Sequence, residues 1–217
     1  RLADNPAIQA ACDTGEPVVI VYVRDEVTEG SRPLGRASKW WLHHSLVSLQ
    51  SSVDSLGGTL VLRTGSGPDV IRQLVADTGA SAVFWNRRYG LAREADALLK
   101  EDLRGLGLTC ESFAGNLLFE PWTVRTGEGN PFKVFTPFWR AALAGEPPRS
   151  PLSPPTALQS AAGIASETLD DWGLLPTSPD WSPGLHEMWT PGESGAHQRL
   201  EDFVRNTLKL YHRRDEP

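Results

Sequence analysis

The sequence has few of the residues that mark several common classes of protein. It contains only two cysteines in 217 residues, Cys12 and Cys110, which fit neither a disulfide framework nor the spacing of a metal site. It has no run of about 18 apolar residues, the length that a membrane-spanning helix needs. Its opening residues lack the apolar core of a secretory signal. We therefore expect a cytoplasmic protein that binds neither a metal ion nor a membrane.

The chain also lacks an excess of positive charge and the familiar catalytic motifs. Lys and Arg number 21 against 27 Asp and Glu, which gives a net charge of −6. This balance argues against broad non-specific binding to nucleic acid, because such binding depends on neutralising phosphates. No G-x-G-x-x-G sequence follows a predicted strand, and neither a Walker loop nor a G-x-S-x-G motif is present. The sequence therefore gives no support for hydrolase chemistry.

Strand and helix patterns alternate through the first half of the chain. The continuous apolar run at 17–23 predicts a strand buried on both faces, and apolar residues every three or four positions predict a long helix over 37–56. Further strands are predicted at 59–63, 82–86 and 108–113, with helices at 5–12, 68–78 and 94–106. This order predicts an α/β fold with a Rossmann-like parallel sheet and helices on both faces. Because the chain opens directly on a helix, we expect the first strand to be missing.

The second half has a different composition, with most of the 17 prolines and several of the 8 tryptophans. Prolines break any long helix between Glu146 and Pro191, but the interleaved Trp172, Trp181 and Trp189 are typical of an ordered segment. We expect this Pro/Trp-rich strap to lie on another surface of the protein. From Glu193 a helical pattern resumes and predicts the first helix of an all-α domain.

One group of residues suggests the binding of a flat ligand. Trp40, Trp41, His43 and His44 lie in the predicted long helix, where residues three or four positions apart share a face. Indole rings stack on flat heterocycles, and an imidazole can hydrogen-bond to them. The alternative interpretation is that one Trp and one His pack in the core while the others cap the surface.

Three further motifs are less specific. Gly65–Gly67 separates a strand from a helix, so it is either a phosphate-binding turn or a simple chain reversal. Arginines 87 and 88 follow a strand and either hold an anionic ligand or pair with acidic residues of the next helix. The aromatic run 132–139 is interpreted as core that closes a domain, with Thr136 and Pro137 beginning a helix at Phe138.

Taken together, the motifs resemble the photolyase/cryptochrome family, and specifically microbial photolyases that repair cyclobutane pyrimidine dimers. The resemblance spans nearly the whole chain, in the family's order. The matching segments are Arg1–Ala7, Trp41–Leu46, Asn86–Tyr89, Leu117–Trp122, Phe135–Trp139 and Trp189–Glu193.

The resemblance implies three regions: an antenna-binding α/β domain at 1–130, an interdomain linker at 131–191 and the truncated start of an FAD-binding helical domain at 192–217. In this family photoexcited FAD passes an electron to a pyrimidine dimer flipped out of damaged DNA. A folate, deazaflavin or other antenna chromophore supplies light energy. FAD is held mostly by the absent domain, so we expect no catalytic residue in this chain, no activity from it alone, and a monomer at full length.

Individual site residues are carried over by their match to family motifs. The resemblance places His44, Trp41 and Asn86 at the antenna, Tyr211 at FAD and Arg214 at DNA. The sequence departs from the folate-binding pattern at Ala92-Arg93, where an Asn-Glu pair is expected. Another antenna, or none, therefore remains open.

Two other functions compete with repair. A cryptochrome-type blue-light photoreceptor shares the fold, and the residues that separate the two lie outside this chain. The motifs at Asn86 and Phe135 favour repair. If the chain were a stand-alone nucleotide-binding α/β protein, its domain would end near residue 125. The Trp-rich strap and the helix after it argue against that function.

Overall fold

The computed structural model describes residues 1–29 and 31–213, which form a mixed α/β fold. The elements in chain order are α1 (Pro6–Asp13), β1 (Ile20–Arg24), α2 (Arg36–Ser55), β2 (Leu60–Thr64), α3 (Gly67–Thr78), β3 (Ala82–Asn86), α4 (Ala92–Gly105), β4 (Thr109–Phe113), α5 (Phe135–Ala144), α6 (Pro183–Met188) and α7 (Glu193–Asp202). The alternation of strands and helices predicted for the first half is confirmed.

The first compact unit combines Glu16–Thr78 with the segment from Thr156 onward. Its strands β1 and β2 pair in parallel, with Ile20 opposite Leu60 and Arg24 opposite Thr64. Such a parallel pair needs a crossover, which α2 supplies. The buried side chains of this unit include Trp40, Leu46, Val53, Leu60, Val61 and Leu62.

The second compact unit combines Leu2–Gly15 with Gly79–Pro155. Strands β3 and β4 are also parallel, with Ala82 opposite Thr109, and α4 is the crossover between them. The core of this unit includes Leu99, Leu103 and Cys110. Both pairs of strands thus follow the parallel α/β pattern expected from the sequence.

Local sequence signals explain where several helices begin and end. The Asn5 side chain accepts a hydrogen bond from the backbone N–H of Ile8 at 3.2 Å, and Pro6 occupies the first turn of α1, as predicted. Helix α2 ends just before Gly57, whose φ of +80° is a left-handed conformation that favours glycine.

From Thr156 onward, the Pro/Trp-rich strap packs on the first unit. The backbone N–H of Leu158 donates to the carbonyl of Leu56 at 2.8 Å, and that of Glu167 donates to the carbonyl of Leu62 at 3.0 Å. Leu158, Trp172 and Leu174 are buried. The strap therefore covers the C-terminal end of α2 and lies along β2, which confirms the sequence interpretation.

Three details of the sequence prediction were wrong. All five side chains of β1 are half-buried, so this strand is not buried on both faces. Helix α5 begins at Phe135, so its N-cap position is Val134 and not Thr136. The last helix is not one regular helix: α7 passes into a π-helical segment at Phe203–Thr207 and a 3₁₀ segment at Leu208–Arg213.

Candidate functional site

The face of α2 predicted to carry aromatic and imidazole rings is formed as expected. Trp40 and His44 are one turn apart, and their rings meet edge to face with centroids 4.6 Å apart. Trp40 is only 1% exposed, whereas His44 is half-buried. The helical spacing therefore places a buried indole beneath a more accessible imidazole.

The strap contributes a third ring to this face. The indole N–H of Trp40 donates to Nε2 of His186, on α6, at 3.4 Å. The His186 ring lies edge to face against Trp40 at 4.9 Å and against His44 at 4.7 Å. Together with His43, whose ring is 5.1 Å from that of His44, these residues form what we call the Trp–His cluster: Trp40, His43, His44 and His186.

The two imidazoles on α2 are held in the neutral form. Burial lowers the pKa of His43, against an opposing effect of Asp170. Burial also lowers the pKa of His44, and the neighbouring His186 and His43 lower it further. Among the described residues, neither Nδ1 of His43 nor Nε2 of His44 has a hydrogen-bond partner, although both atoms are buried. Such atoms can accept from or donate to a bound molecule.

The outer edge of the cluster is made of two exposed indoles. Trp41 is 41% exposed and Trp189, which follows α6, is 45% exposed. Their rings meet edge to face at 5.8 Å. The guanidinium of Arg199 lies 4.8 Å from the Trp189 ring centre and donates to the carbonyl of Met188 at 3.0 Å. An accessible aromatic surface thus adjoins the neutral imidazoles.

An open cavity of about 540 Å³ adjoins the same helix. It is lined by the α2 face from His43 to Asp54, by Leu60 and Leu62 of β2 and by strap residues 166–170. Its volume lies within the range of small-molecule sites, about 300–1,000 Å³. The first unit therefore offers room for a ligand beside the cluster.

The glycine turn before α3 is not a phosphate site. The carboxylate of Asp25 accepts from the backbone N–H of Gly67 at 2.8 Å and from the Thr28 hydroxyl at 2.5 Å. Burial raises the pKa of Asp25, but hydrogen bonds from Thr28, Gly67 and Val27 outweigh burial and lower it. An internal anion already occupies the helix N-terminus.

Asn86, at the end of β3, has a structural task in the second unit. Its side-chain Oδ1 accepts from the backbone N–H of Ala7 at 3.3 Å, and its Nδ2 donates to Oδ1 of Asn5 at 2.7 Å. These bonds tie β3 to the beginning of α1. Whether Asn86 also contacts an antenna stays a prediction.

The two arginines after β3 both have carboxylate partners. Arg88 pairs with Asp96 of α4 at 2.5 Å, and Arg87 pairs with Glu120 at 2.9 Å. The Tyr89 hydroxyl also donates to Glu120, at 2.9 Å. The predicted pairing with the next helix is therefore confirmed for Arg88, whereas the partner of Arg87 lies after β4 and not in α4.

The remaining predicted residues are less informative. Tyr211 is 59% exposed, and its ring contacts that of Phe203 at 5.8 Å. Arg214 lies outside the described residues. The interpretation of 132–139 as core was wrong for two of its aromatics, since Phe135 is 70% exposed and Trp139 is 43% exposed.

Sequence reasoning missed the contributions of His186 and Trp189 to the cluster. Both belong to the strap, and His186 is 146 positions from Trp40 in the sequence. The available signal was the tryptophan-rich composition of the strap, which indicated packing but not the surface it contacts. Among the described residues, no three His, Cys, Asp or Glu side chains are placed to hold a metal ion, and no helix is long and apolar enough to cross a membrane.

The chain thus combines a parallel α/β architecture with a face of aromatic and imidazole rings on α2. The sequence pattern of the family described as DNA photolyase matches residues 1–156. This chain belongs to that family.

Named relatives include both repair enzymes and photoreceptors. The chain is 46% identical over 215 residues to a deoxyribodipyrimidine photo-lyase of Agrobacterium fabrum, covering 97% of this chain and 44% of the relative. It is 36% identical over 218 residues to cryptochrome-1 of Arabidopsis thaliana, covering 97% of this chain and 31% of the relative. The chain thus spans less than half the length of these relatives.

A solved structure shares the fold closely. The crystal structure of a bacterial class III photolyase from Agrobacterium tumefaciens superposes with a TM-score of 0.92 at 46% identity, covering 98% of this chain and 44% of that one. This similarity confirms the predicted fold class and its place in the N-terminal part of the photolyase family.

Proposed function

We propose that this chain is the light-harvesting part of a deoxyribodipyrimidine photolyase that repairs cyclobutane pyrimidine dimers in DNA. The single observation that supports this role most strongly is the 46% identity to a photo-lyase over 97% of the chain. In the whole protein, FAD and damaged DNA are bound mostly by regions beyond this chain, with Tyr211 and Arg214 as contributions from its end. We further propose a cytoplasmic protein that is a monomer at full length.

The Trp–His cluster and its neighbouring indoles are the proposed antenna site. The exposed faces of Trp41 and Trp189 offer stacking surface for a flat heterocycle. Burial lowers the pKa of His44, which favours its neutral form, and its buried Nε2 has no partner within the described part of the chain. This nitrogen suits a hydrogen bond to a ring of a folate or deazaflavin. When bound, such a chromophore absorbs near-ultraviolet and blue light and transfers the excitation to FAD. The residues of the chain bind it, orient its ring and exclude water.

We propose that Asn86 contributes to the antenna domain mainly by stabilising the second unit. Its amide holds Asn5 and the backbone of Ala7, so it stabilises the link between β3 and α1. Ala92-Arg93 stands where the folate-binding pattern has an Asn-Glu pair, so the standard folate contacts are incomplete at these two positions. The choice between a folate and another chromophore therefore requires a direct binding measurement.

An absorption spectrum of the purified chain tests the proposal. The chain is incubated in turn with 5,10-methenyltetrahydrofolate, a deazaflavin and FMN, and free ligand is removed by gel filtration. We expect one of the three to be retained with a red-shifted band, because stacking on indole changes the environment of the ring. If none is retained, this chain is not a working antenna domain.

A blue-light photoreceptor is the second candidate function. The 36% identity to a plant cryptochrome over 97% of the chain supports it. An assay of the full-length protein separates the two functions. Light-dependent loss of cyclobutane dimers from irradiated DNA favours repair, whereas a light-induced change in flavin absorption without loss of dimers favours signalling.

A further inference from the structure

We propose that His186 is a positioning residue for the chromophore site, acting through Trp40 and His44. This inference rests on the proposed antenna function of the cluster. His186 lies on α6 of the strap. It is therefore outside the family motif of the long helix, Trp41–Leu46. The structure assigns it a role through its contacts with two α2 side chains rather than through contact with the chromophore.

The hydrogen bond from Trp40 determines which nitrogen of His186 carries the proton. An indole nitrogen can only donate, so Nε2 of His186 must be the unprotonated acceptor at 3.4 Å. The neutral ring then carries its proton on Nδ1. Protonation of Nε2 removes the acceptor, so this contact selects one tautomer of His186 and holds the ring in one orientation.

That orientation in turn restrains His44. The His186 ring lies edge to face against His44 at 4.7 Å, while Trp40 contacts the same imidazole at 4.6 Å. His44 is therefore held between two rings that are themselves joined by a hydrogen bond. A side chain locked in this way loses less conformational entropy when a ligand binds.

The ring of His186 also differs from those of Trp40 and His44 in its exposure to water. His186 is exposed, whereas Nε2 of His44 is buried and Trp40 is 1% exposed. The exposed His186 ring thus packs against two rings that are more buried than itself. Asp180, which precedes α6 and accepts two hydrogen bonds from Ser182, is a charged group near His186, and Asp170 faces His43.

Helix α6 has the local structure needed to place His186. Pro183 occupies its first turn, and the buried Ser182 donates from both its backbone N–H, at 2.9 Å, and its hydroxyl, at 2.7 Å, to Asp180. Trp189, which directly follows the helix, packs against Trp41. One short helix thus brings a hydrogen-bond acceptor and an indole to the same face of α2.

Two substitutions at position 186 test the inference in the complete 217-residue chain. His186→Ala removes the acceptor and the imidazole ring, whereas His186→Gln keeps an acceptor oxygen near the position of Nε2. His197→Ala is the matched control, because His197 is an exposed imidazole on α7. Thermal unfolding of each variant establishes that it is folded before binding is measured.

The first readout needs no ligand. Nuclear magnetic resonance of the His44 imidazole, assigned with a His44→Gln variant, reports its tautomer and its pKa. We expect His186→Ala to raise the pKa of His44 toward the ordinary value, because a neighbouring imidazole is lost. An unchanged His44 spectrum in this variant overturns the inference.

The second readout is the dissociation constant of 5,10-methenyltetrahydrofolate, measured from its retained absorption band. We expect His186→Ala to weaken binding by about tenfold or more, and His186→Gln to stay within about threefold of the unchanged chain. Equal binding by His186→Ala and the unchanged chain overturns the positioning role. If the unchanged chain retains no folate, the proposed folate site fails, while the His44 spectrum still decides the inference about His186.

Discussion

The indole N–H of Trp40 reaches Nε2 of His186 at 3.4 Å, across a separation of 146 residues. This bond joins the long helix α2 to the short helix α6 of the strap. It is a tertiary contact between a side chain of the predicted antenna-binding region, 1–130, and one of the predicted linker, 131–191. The candidate chromophore site depends on both.

Replacing Trp40 with Phe tests the contribution of this bond to stability. The change removes the donor and part of a side chain that is 1% exposed, so we expect the free energy of unfolding to fall by about 2–4 kcal/mol. Urea unfolding followed by circular dichroism measures this. Trp181→Phe is the control, because Trp181 is 37% exposed and we expect a change below about 1 kcal/mol. Equal losses in the two variants contradict the burial argument.

Replacing His44 with Ala tests the candidate site itself. We expect binding of the retained chromophore to weaken by about 1–3 kcal/mol, because a buried partner of the ring is lost. That corresponds to a rise of about 5- to 150-fold in the dissociation constant. His197→Ala, a change at an exposed imidazole, is expected to leave binding unchanged. An unchanged affinity of the His44 variant removes His44 from the site.

We expect the stability of the folded chain to depend on pH through Asp25, in a direction set by the hydrogen bonds to its carboxylate. Its pKa is lower in the folded chain than its ordinary value of 3.8, so its contribution to stability is present above that value and is lost as the pH falls through the folded pKa. Asp25→Asn is expected to lower stability at pH 7 by about 1–2 kcal/mol, with a smaller difference near pH 3. Urea unfolding at the two pH values measures it.

The control for Asp25 is Asp77→Asn. The Asp77 carboxylate is exposed and accepts one hydrogen bond, from Gln73 one turn earlier in α3. We expect this change to cost less than about 0.5 kcal/mol at either pH. If Asp25→Asn lowers the stability equally at pH 7 and pH 3, the charge of Asp25 does not stabilise the folded chain.

Gly115→Ala tests the packing around Asn86 in the second unit. A Cβ at position 115 would lie 2.6 Å from Oδ1 of Asn86, whose amide is held by Asn5. Because that side chain cannot move without losing its bonds, we expect a loss of about 1–3 kcal/mol. Gly105→Ala is expected to be neutral or stabilising, because no neighbouring atom of the described residues lies within 4 Å of the added carbon. Thermal unfolding of both variants distinguishes the outcomes.

The isolated chain is expected to leave pyrimidine dimers intact under light. The resemblance places the FAD site and the dimer pocket largely beyond this chain. The test is chromatography of an ultraviolet-irradiated oligothymidine after blue-light exposure with the chain and added reduced FAD, against a dark control. Light-dependent loss of dimers with this chain alone contradicts the division of function between the two domains.

The sequence predicted most of the local structure because the signals are local. Asn5 and Pro6 mark the beginning of α1, Gly57 follows the end of α2, and the apolar spacing of α2 places Trp40 beside His44. The family motifs also identified the family correctly.

What the sequence could not predict depends on distant partners. The contact of His186 with Trp40 requires the strap to return to α2, and no periodicity encodes that path. The Gly65–Gly67 turn was compatible with a phosphate until Asp25 was found to accept from Gly67. Likewise, Arg87 and Arg88 could be assigned to internal ion pairs only when the positions of Glu120 and Asp96 were known.

The return of the strap to the first unit has a consequence for synthesis on the ribosome. Because that unit needs the segment from Thr156 onward, every residue of the second unit has been translated before Leu158 and Trp172 can become buried. Contacts over such long sequence separations close slowly, so α2 and β2 remain uncovered during that interval. A nascent chain that stops before the strap exposes apolar surface, which makes it a substrate for chaperones until elongation continues.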